Sequence, residues 1–358
     1  MKKIRYAVWG AGWISQEAFL PAVSQTKNSI VTAIVSGSAG RARKLADFSG
    51  IENVFDYAHF SEALASNLFD AVYVALPNSM HAEFTIQAAK AGKHVLVEKP
   101  LATSEADCAA MIEAANAAHV FLMTAYRLHN NPGTLEVLDQ VYSGRIGEVK
   151  TFSAVFSFMQ AAENHRLTPE YWGGPLQDVG FYCLNIARHV FRSAPIETVA
   201  VKTSGNGDPK FAEIAESLAV TLRFPGDRIG QFIASFGAAT SDFYHVGGTK
   251  GSISANPGFR FETATRMERR EGHEFTETRF PKMDHFAGQL SYFSDCILKE
   301  TPPEADGYEG LADVKALLAI ECAAATGMSQ RIDTPPRPAH PTLEMGQSLP
   351  ITDRRLVF

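Results

Sequence analysis

The sequence predicts an α/β protein in two domains: an N-terminal doubly wound parallel sheet, then a C-terminal α+β domain with a largely antiparallel open sheet. Over residues 1–125 apolar strands alternate with helices, which is typical of parallel strands joined by crossover helices. Over residues 126–335 several strands follow one another directly, and this favours an antiparallel sheet with helices on one side. Residues 336–358 are rich in proline and are expected to form a tail that packs on the surface.

The first domain opens with a short apolar strand and continues as alternating strands and helices. Pro21 is expected to kink or end the first helix, because its ring removes a backbone donor. Gly92 is an ordinary glycine terminator for the third helix. The strands are predicted at residues 4–9, 30–35, 69–77, 94–98 and 120–124, and the helices at residues 17–25, 41–48, 80–91 and 104–118.

The second domain is predicted from strands with period-two alternation, joined by turns of Pro, Gly and Asp. Phe152, Phe156 and Phe158 share one face of its first strand. This much aromatic surface on an open sheet predicts a homodimer or higher homo-oligomer formed through that face. The strands are predicted at residues 149–159, 197–203, 217–224, 229–236 and 250–255, with helices at 176–192 and 283–298 framing the sheet and one at 310–326 returning to the first domain.

Composition and charge argue against several classes of protein. The 358 residues carry a net charge of −6, which disfavours nucleic acid or an anionic membrane as the main partner. No apolar run reaches the roughly 20 residues of a membrane helix, and the first strand begins too early for a signal peptide to precede it. The four cysteines are far apart, and the eleven histidines show no ligand spacing. We therefore expect a cytoplasmic protein with free thiols and no metal.

A glycine turn follows the first strand at Gly10 and Gly12. Gly10 permits a tight turn, and Gly12, which has no Cβ, lets the backbone approach a pyrophosphate. Trp13 and Ile14 then open the helix whose first N–H groups and positive dipole end would face that phosphate. Ser15 replaces the third glycine of this pattern and is expected to loosen the packing of helix on strand slightly. Because it follows a strand and opens a helix, the motif predicts a dinucleotide site, with a chance glycine turn as the alternative.

The segment after the second strand distinguishes NADP from NAD. An NAD site usually has Asp or Glu there, roughly 20 residues after the glycine turn, to bind the ribose 2′-hydroxyl. Here the strand ends at Ser36-Gly37-Ser38, and no acidic residue occurs before Asp47. Hydroxyl and guanidinium donors suit a 2′-phosphate, so the sequence favours NADP, with NAD or a solvated basic helix as the alternatives. The basic residues in question are Arg41, Arg43 and Lys44.

Glu98-Lys99-Pro100 follows the predicted strand at 94–98. It lies at the carboxyl end of a parallel strand, where open α/β sheets bind ligands. Pro100 restricts Lys99 to an extended backbone, which aims the ammonium towards the cleft. There it is expected to hydrogen-bond a reacting hydroxyl next to a nicotinamide. An exposed lysine in a turn is the alternative.

The helix predicted at 176–192 begins with three polar side chains at helical spacing. Asp178, Tyr182 and Asn185 lie at positions i, i+4 and i+7, so one helical face is expected to carry all three. A polar stripe near a helix start suits the hydroxyl groups of a substrate. The alternative is a tyrosine at the edge of the core and an aspartate that complements the helix dipole.

Five segments in this order resemble the glucose–fructose oxidoreductase/inositol dehydrogenase (Gfo/Idh/MocA) family, and the resemblance covers nearly the whole chain. Many members have histidine at the position of Tyr182. Tyrosine there resembles the branch that contains glucose–fructose oxidoreductase, NADP-dependent xylose dehydrogenase and dimeric dihydrodiol dehydrogenase. The segments are the glycine turn, Ser36-Gly37-Ser38, Glu98-Lys99-Pro100, Ala125-Tyr126-Arg127-Leu128-His129 and Asp178-Val179-Gly180-Phe181-Tyr182.

The resemblance implies hydride transfer between NADP(H) and a sugar, polyol or diol at the cleft between the domains, with aldose C1 favoured. Tyr182 would be the acid/base, and Lys99 would assist it at the same oxygen, because a phenol alone is a poor base at neutral pH. Asp178 would complete the catalytic set and, with Asn185, bind neighbouring hydroxyls. Cofactor contacts are implied for Leu76, Pro77, Asn78, His81, Glu98, Lys99 and Arg127, and substrate contacts for Lys99, Arg127, Asp178, Tyr182 and Asn185.

Two other classes of function remain as alternatives. One is a sensor or regulator that binds NAD(P) on the same fold without catalysis. The other is a methyltransferase that binds S-adenosylmethionine at the glycine turn, in which Glu98-Lys99-Pro100 would have no role. The export signal and cofactor-retaining arm of glucose–fructose oxidoreductase are missing here, which favours an exchangeable cofactor. The Trp-Arg pair of that branch is replaced by a shortened segment at 165–172, which contains Arg166 and Trp172.

Overall fold

The computed structural model describes residues 2–261, 263–353 and 355–357. The chain divides into two compact units: the first comprises the chain up to Asn131, Met283–Gly310 and the chain from Met345, and the second comprises Pro132–Lys282 and Leu311–Glu344. This division differs from the predicted boundaries near 125 and 335. Residues 283–310 belong to the first unit and do not frame the second sheet, because their helix packs against the strands of the first sheet.

The first unit contains a parallel sheet that confirms the predicted fold class. The sheet's order reverses between its first and fourth strands, and ligands bind at the carboxyl ends of strands at such a reversal. The strands are β1 Ile4–Trp9, β2 Ser29–Val35, β3 Asn53–Phe55, β4 Ala71–Val74, β5 His94–Val97 and β6 Leu122–Thr124. They pair in the order β3-β2-β1-β4-β5-β6, all parallel.

The helices begin and end at local signals. The Ser104 hydroxyl accepts the Asp107 N–H at 3.0 Å at the start of α5, and Pro21 lies in the first turn of α1, where a missing N–H costs little. In the described ranges no helix combines the length and apolarity needed to cross a bilayer. The α-helices are α1 Leu20–Val23, α2 Ala39–Ser49, α3 Phe60–Ala65, α4 His81–Lys90, α5 Glu105–Ala117, α6 Pro132–Tyr142, α7 Phe181–Phe191, α8 His285–Lys299 and α9 Gly307–Thr326.

The second unit is built on a nine-stranded sheet, which is antiparallel except for one central pair. Its strands are β7 Val149–Ser157, β8 Glu197–Thr203, β9 Ser217–Phe224, β10 Arg228–Ser235, β11 Ser241–Gly248, β12 Gly251–Ala255, β13 Thr265–Glu271, β14 Glu274–Phe280 and β15 Gln330–Arg331. They pair in the order β14-β13-β12-β11-β7-β10-β9-β8-β15. The pair β7–β10 is parallel. Helix α7 packs on β7 and β10.

The two faces of this sheet are assigned differently from the prediction. Phe152 and Phe156 are 1% and 5% exposed, because they lie on the face that α7 covers. Phe158 lies beyond the end of β7 and is half-buried. The aromatic residues of β7 therefore do not form the open face, and the prediction of an oligomer formed through them is wrong. The exposed side chains belong to the opposite face of the sheet.

Candidate active site

The glycine turn lies where the strand order of the first sheet reverses. Gly10 has a φ of +103°, and a Cβ there would lie 2.3 Å from the Ala75 carbonyl oxygen at the end of β4. A Cβ on Gly12, in contrast, would meet no atom of the described residues within 4 Å beyond its neighbours along the chain. Ile14 begins the following helix without a side-chain cap, and Trp13 is 48% exposed. The open space at Gly12 and the uncapped helix start fit a dinucleotide pyrophosphate.

Ser15 strengthens the turn instead of loosening it. Its hydroxyl donates to the Gly10 carbonyl oxygen at 2.6 Å, and the Gln16 amide donates to the Ala11 carbonyl oxygen at 2.8 Å. Both side chains are buried. The expectation of weaker packing at Ser15 is wrong, because the hydroxyl finds an acceptor within the turn itself. The helix begins as a π-helical turn over Ser15–Phe19, a distortion that is frequent at functional sites.

The segment after β2 presents hydroxyls and the exposed side chains of Arg41 and Arg43. Ser36 is nearly buried, and its hydroxyl accepts the Ser38 N–H at 3.3 Å. Ser38 is the N-cap residue of α2, and its side chain makes no capping hydrogen bond. Arg41 is exposed in the first turn of α2, whereas the Arg43 guanidinium lies 3.9 Å from the Asp47 carboxylate. The donor set therefore fits a 2′-phosphate, with Arg41 better placed than Arg43.

Tyr57 is a candidate cofactor contact that the sequence analysis missed. A Cβ on Gly37 would lie 2.8 Å from a carbon of the Tyr57 ring, so this phenol packs directly on the segment after β2. Its ring also packs on Phe84 at 5.5 Å and remains 37% exposed. A half-exposed aromatic ring in this position offers a packing surface for a nucleobase. The only signal in the sequence is one tyrosine after a strand of three residues, which no motif distinguishes.

His81 holds two loops at the carboxyl edge of the first sheet. Its ring is fully buried, with Nδ1 2.8 Å from the Pro100 carbonyl oxygen and Nε2 2.9 Å from the Leu76 carbonyl oxygen. Burial lowers the pKa of His81, while its hydrogen bonds to backbone carbonyls act in the opposite direction. The ring links the loop after β4 to the loop after β5. Pro77 and Asn78 lie in the first of these loops and are partly exposed. Direct contacts of Leu76, Pro77, Asn78 and His81 with a nicotinamide stay predictions.

Glu98 lies at the end of β5 in a cluster of charged and polar groups. The Tyr73 hydroxyl, which is fully buried, donates to Glu98 Oε1 at 2.5 Å. Burial raises the pKa of Glu98, while the bond from Tyr73 and the charges of Lys99 and Arg127 act in the opposite direction. Lys99 is partly buried beside this carboxylate. The predicted lysine is thus embedded in an electrostatic cluster and is not an exposed lysine in a turn.

Arg127 completes the cluster from the short helix Arg127–Asn130 after β6. It is 4% exposed, and its Nη1 donates to Nδ1 of His285 at 3.2 Å. Burial and the Arg127 charge hold the pKa of His285 well below its usual range, so the ring is neutral and accepts this bond. The other ring nitrogen of His285 contacts the amide of Asn131. These contacts fix Arg127 in place, and its predicted role towards cofactor or substrate remains to be tested.

In the second unit, Asp178 and Tyr182 share one accessible surface. Between Gly174 and Phe191 every residue is buried except these two. Asp178 lies in a π-helical turn, Leu176–Gly180, and its carboxylate is 3.1 Å from the guanidinium of Arg166. The Tyr182 ring packs on Phe156 at 5.9 Å. The predicted grouping of Asp178 and Tyr182 on one helical face is therefore present.

Asn185 does not share that surface. It is 3% exposed, and its amide donates to the Asp313 carboxylate at 2.9 Å. The same carboxylate accepts from Arg188 at 2.6 Å. The expectation that one polar face carries Asp178, Tyr182 and Asn185 is wrong for Asn185, because α7 is buried on that side by Asp313 of α9. Its contact with a substrate stays a prediction that this burial disfavours.

The predicted residues thus form two sets, one in each unit. The first set lies at the carboxyl edge of the parallel sheet. The second set consists of Asp178 and Tyr182 on the buried helix of the second unit. The convergence of Lys99 with Tyr182 on one substrate oxygen stays a prediction, and so does the absence of a metal.

Comparison with sequence families identifies both halves of the chain. A model described as an oxidoreductase family with an NAD-binding Rossmann fold matches residues 4–126. A model described as the GFO/IDH/MocA C-terminal domain matches residues 134–254. The two matches together cover well over half of the chain and follow the division into strand–helix and sheet regions.

Individual proteins match over nearly the full length. A D-xylose 1-dehydrogenase [NADP(+)] of Haloarcula marismortui is 30% identical over 339 residues, which cover 92% of this chain and 93% of that protein. The crystal structure of an aldose-aldose oxidoreductase from Caulobacter crescentus complexed with glycerol has a TM-score of 0.88 at 30% identity, covering 92% of this chain and 100% of that one. A 3-ketoreductase from Actinomadura kijaniata in complex with NADP and TDP-benzene has a TM-score of 0.81 at 27% identity, covering 90% of this chain and 98% of that one.

Proposed function

Because the chain belongs to the Gfo/Idh/MocA family of oxidoreductases, we propose that it transfers a hydride between NADP(H) and a hydroxyl-bearing carbon of a sugar, polyol or diol, with aldose C1 favoured. The observation that carries the proposal is the surface of the buried helix in the second unit, where Asp178 and Tyr182 are the only accessible side chains. The names of the similar proteins, a D-xylose 1-dehydrogenase, an aldose-aldose oxidoreductase and a 3-ketoreductase, support the same substrate class.

The chemistry divides between the cofactor and the side chains. When bound, the nicotinamide of NADP accepts the hydride that leaves the substrate carbon. Tyr182 in its deprotonated form takes the hydroxyl proton, so that the C–O bond becomes a carbonyl. Lys99 donates a hydrogen bond to the same substrate oxygen. Asp178, held by Arg166, accepts hydrogen bonds from a neighbouring hydroxyl and orients the sugar.

A panel of aldoses, polyols and diols, each assayed with NADP and with NAD, tests the proposed activity. We expect NADPH to form with at least one aldose, at a lower KM for NADP than for NAD. If no compound is oxidised while the protein still binds NADPH in a fluorescence titration, the chain is a sensor or regulator on the same fold. Failure to bind either cofactor would instead remove the dinucleotide site from the proposal.

Arg41→Ala is expected to raise the KM for NADP at least about tenfold and to leave the KM for NAD nearly unchanged. The reason is that a charge-assisted hydrogen bond to a phosphate contributes about 1.5–3 kcal/mol, and NAD has no 2′-phosphate. Arg43→Ala is the matched control on the same helix, since Arg43 is directed to Asp47. Equal losses in the two variants, or an equal loss for NAD, would contradict the assignment of Arg41.

We also propose a homodimer through the open face of the second sheet, on different residues from those first predicted. Five apolar side chains lie directly opposite one another across adjacent strands: Val201, Ala219, Ile233, Val155 and Phe243. Three of them are strongly exposed: Val201 at 70%, Ile233 at 45% and Phe243 at 37%. A contiguous apolar row of this kind is unusual on a monomer and typical of an interface.

Ile233→Glu is expected to convert the dimer to a monomer in sedimentation velocity at micromolar concentration, because it places a charge at the centre of the apolar row. Ile30→Glu is the matched control, since Ile30 has a similar exposure of 41% in the first unit. A wild-type protein that sediments as a monomer, or an Ile233→Glu variant that remains dimeric, would rule out this interface.

The thiols support a reducing compartment, and we propose the cytoplasm. Cys108, Cys183 and Cys296 are buried and Cys322 is exposed, and none forms a disulfide. Unpaired cysteines are usual where glutathione and thioredoxin keep thiols reduced.

A further inference from the structure

Glu321 of α9 lies in the second unit, outside every motif of the sequence. Its carboxylate accepts the indole N–H of Trp172, which lies 3.0 Å from both oxygens. The side-chain amide of Gln177 donates to Oε1 of the same carboxylate. Burial raises the pKa of Glu321, and the two donors partly offset this effect. One carboxylate therefore joins two residues on either side of the glycine pair Gly173-Gly174.

The segment that Glu321 holds has a constrained backbone. Trp172 adopts φ 52° and ψ 47°, the left-handed region that a large side chain rarely occupies. A Cβ on Gly173 would lie 2.4 Å from the Arg166 carbonyl oxygen and 2.9 Å from that of Thr168. The chain therefore folds back tightly on the turn at Arg166. Such conformations persist where neighbouring contacts impose them, and they concentrate at functional sites.

The constrained turn contains Arg166, whose guanidinium lies beside Asp178 of the candidate catalytic helix. Arg166 Nε lies 3.1 Å from Asp178 Oδ2, and both side chains are partly exposed, at 28% and 18%. The Arg166 N–H donates to the side-chain oxygen of Asn164 at 2.9 Å, which fixes the start of the turn. Glu321 thus holds Trp172, the next residue, Gly173, packs against the Arg166 carbonyl, and Arg166 pairs with Asp178.

We propose that Glu321 is a positioning residue that fixes the Arg166–Asp178 pair beside Tyr182 through the indole of Trp172. The inference deepens the proposed function and rests on it. A stabilising role alone would not call for a carboxylate here, because a partly buried ion loses part of its hydration and well-packed apolar residues often stabilise such a site equally well. A carboxylate with two acceptor oxygens is instead suited to fixing an indole and an amide in one geometry.

The kinetic test compares Glu321→Ala, Glu321→Gln and the control Glu197→Gln. We expect Glu321→Ala to raise the sugar KM or lower kcat, so that kcat/KM falls at least about tenfold, with the affinity for NADPH unchanged. Glu321→Gln keeps one acceptor for the indole and is expected to restore most of kcat/KM. Glu197 is partly exposed and paired with Arg223 in the same unit, so Glu197→Gln is expected to match the wild type. Unchanged kcat/KM in Glu321→Ala would overturn the proposal.

A double-mutant cycle separates positioning from folding. Arg166→Met alone should reproduce the kinetic loss of Glu321→Ala, and the double variant should lose no more than the larger single loss, because both act on one path. Additive losses would show that Glu321 does not act through Arg166. If all Glu321 variants lose the same amount of unfolding temperature and Glu321→Gln does not restore kcat/KM, Glu321 acts on folding alone.

A fluorescence measurement tests the positioning independently of any activity. In a Trp13→Phe background the remaining indoles are Trp9, which is fully buried, and Trp172. Glu321→Ala is expected to increase the acrylamide quenching of Trp172 at least about twofold, and Arg166→Met should leave it unchanged. Unchanged quenching in Glu321→Ala would overturn the proposal even if sugar oxidation is observed. Increased quenching in a protein that oxidises no sugar would retain the positioning contact and reject the proposed function.

Discussion

Lys99→Ala is expected to lower kcat by roughly 10²–10⁴-fold on the best substrate, the range associated with losing a proton-transfer group. Tyr182→Phe is expected to have an effect of the same size. In the proposed mechanism, the substrate oxygen then loses the hydrogen bond that Lys99 donates. The Glu98 carboxylate also loses a positive neighbour, so its pKa is expected to rise further above its usual range. Steady-state kinetics with NADP and the best aldose gives the measurement.

NADPH binding controls for damage to the site. Because neither substitution changes the glycine turn, both variants should still bind NADPH in a fluorescence titration, and Tyr182→Phe should stay within a few-fold of the wild-type affinity. Lys90→Ala provides a matched lysine substitution, since Lys90 is exposed at the end of α4. Wild-type turnover in both Lys99→Ala and Tyr182→Phe would reject the two roles. A loss in only one would reject the idea that the two side chains act on the same oxygen.

The first sheet could be predicted because its strands are apolar on both faces and its turns carry glycine or proline. β3 was missed, since Asn53–Phe55 is three residues long and half-buried. In the second unit β8 and β9 were predicted with their observed bounds, because their side chains alternate in exposure. β13 and β14 were missed because charged residues occupy both of their faces. Hydropathy cannot mark a strand of that kind.

Period-two alternation of apolar residues also does not indicate which face of a sheet a helix will cover. The phenylalanines of β7 were placed on one face correctly, but α7 lies on that face and buries Phe152 and Phe156. The apolar row on the other face combines one residue from each of five strands. It becomes visible only once the register of those strands is known.

In the candidate site, too, residues that belong to short motifs could be predicted, whereas their contact partners could not. Gly10, Lys99 and Asp178 belong to short motifs whose spacing carries meaning, and each could be selected from the sequence. The partners that hold such residues are far away in the chain: Arg127 and His285 are 158 positions apart, and Trp172 and Glu321 are 149 apart. No spacing rule links residues at such distances. Ser15 was misjudged for a related reason, because its acceptor depends on the turn's three-dimensional form.

Gly12→Ala is expected to weaken NADPH binding at least tenfold, which corresponds to about 1.4 kcal/mol, without changing the free energy of unfolding. The added methyl group meets no protein atom within 4 Å, so the folded apoprotein has no reason to be destabilised. A dinucleotide whose pyrophosphate contacts the backbone at this position would be displaced by the same methyl group. Fluorescence titration with NADPH and urea unfolding of the apoprotein measure the two quantities separately.

Gly10→Ala is the informative control because it should behave in the opposite way. At a φ of +103°, with a Cβ 2.3 Å from the Ala75 carbonyl oxygen, alanine is expected to destabilise the apoprotein by more than about 2 kcal/mol, from backbone strain and overpacking together. Two glycines separated by one residue would then have different roles: one is required by the fold and the other by the ligand. If Gly12→Ala unfolds as readily as Gly10→Ala, the space above Gly12 does not exist in the folded protein. If it binds NADPH as tightly as the wild type, the pyrophosphate lies elsewhere, and the dinucleotide site proposed at the carboxyl edge of β1 would have to be abandoned.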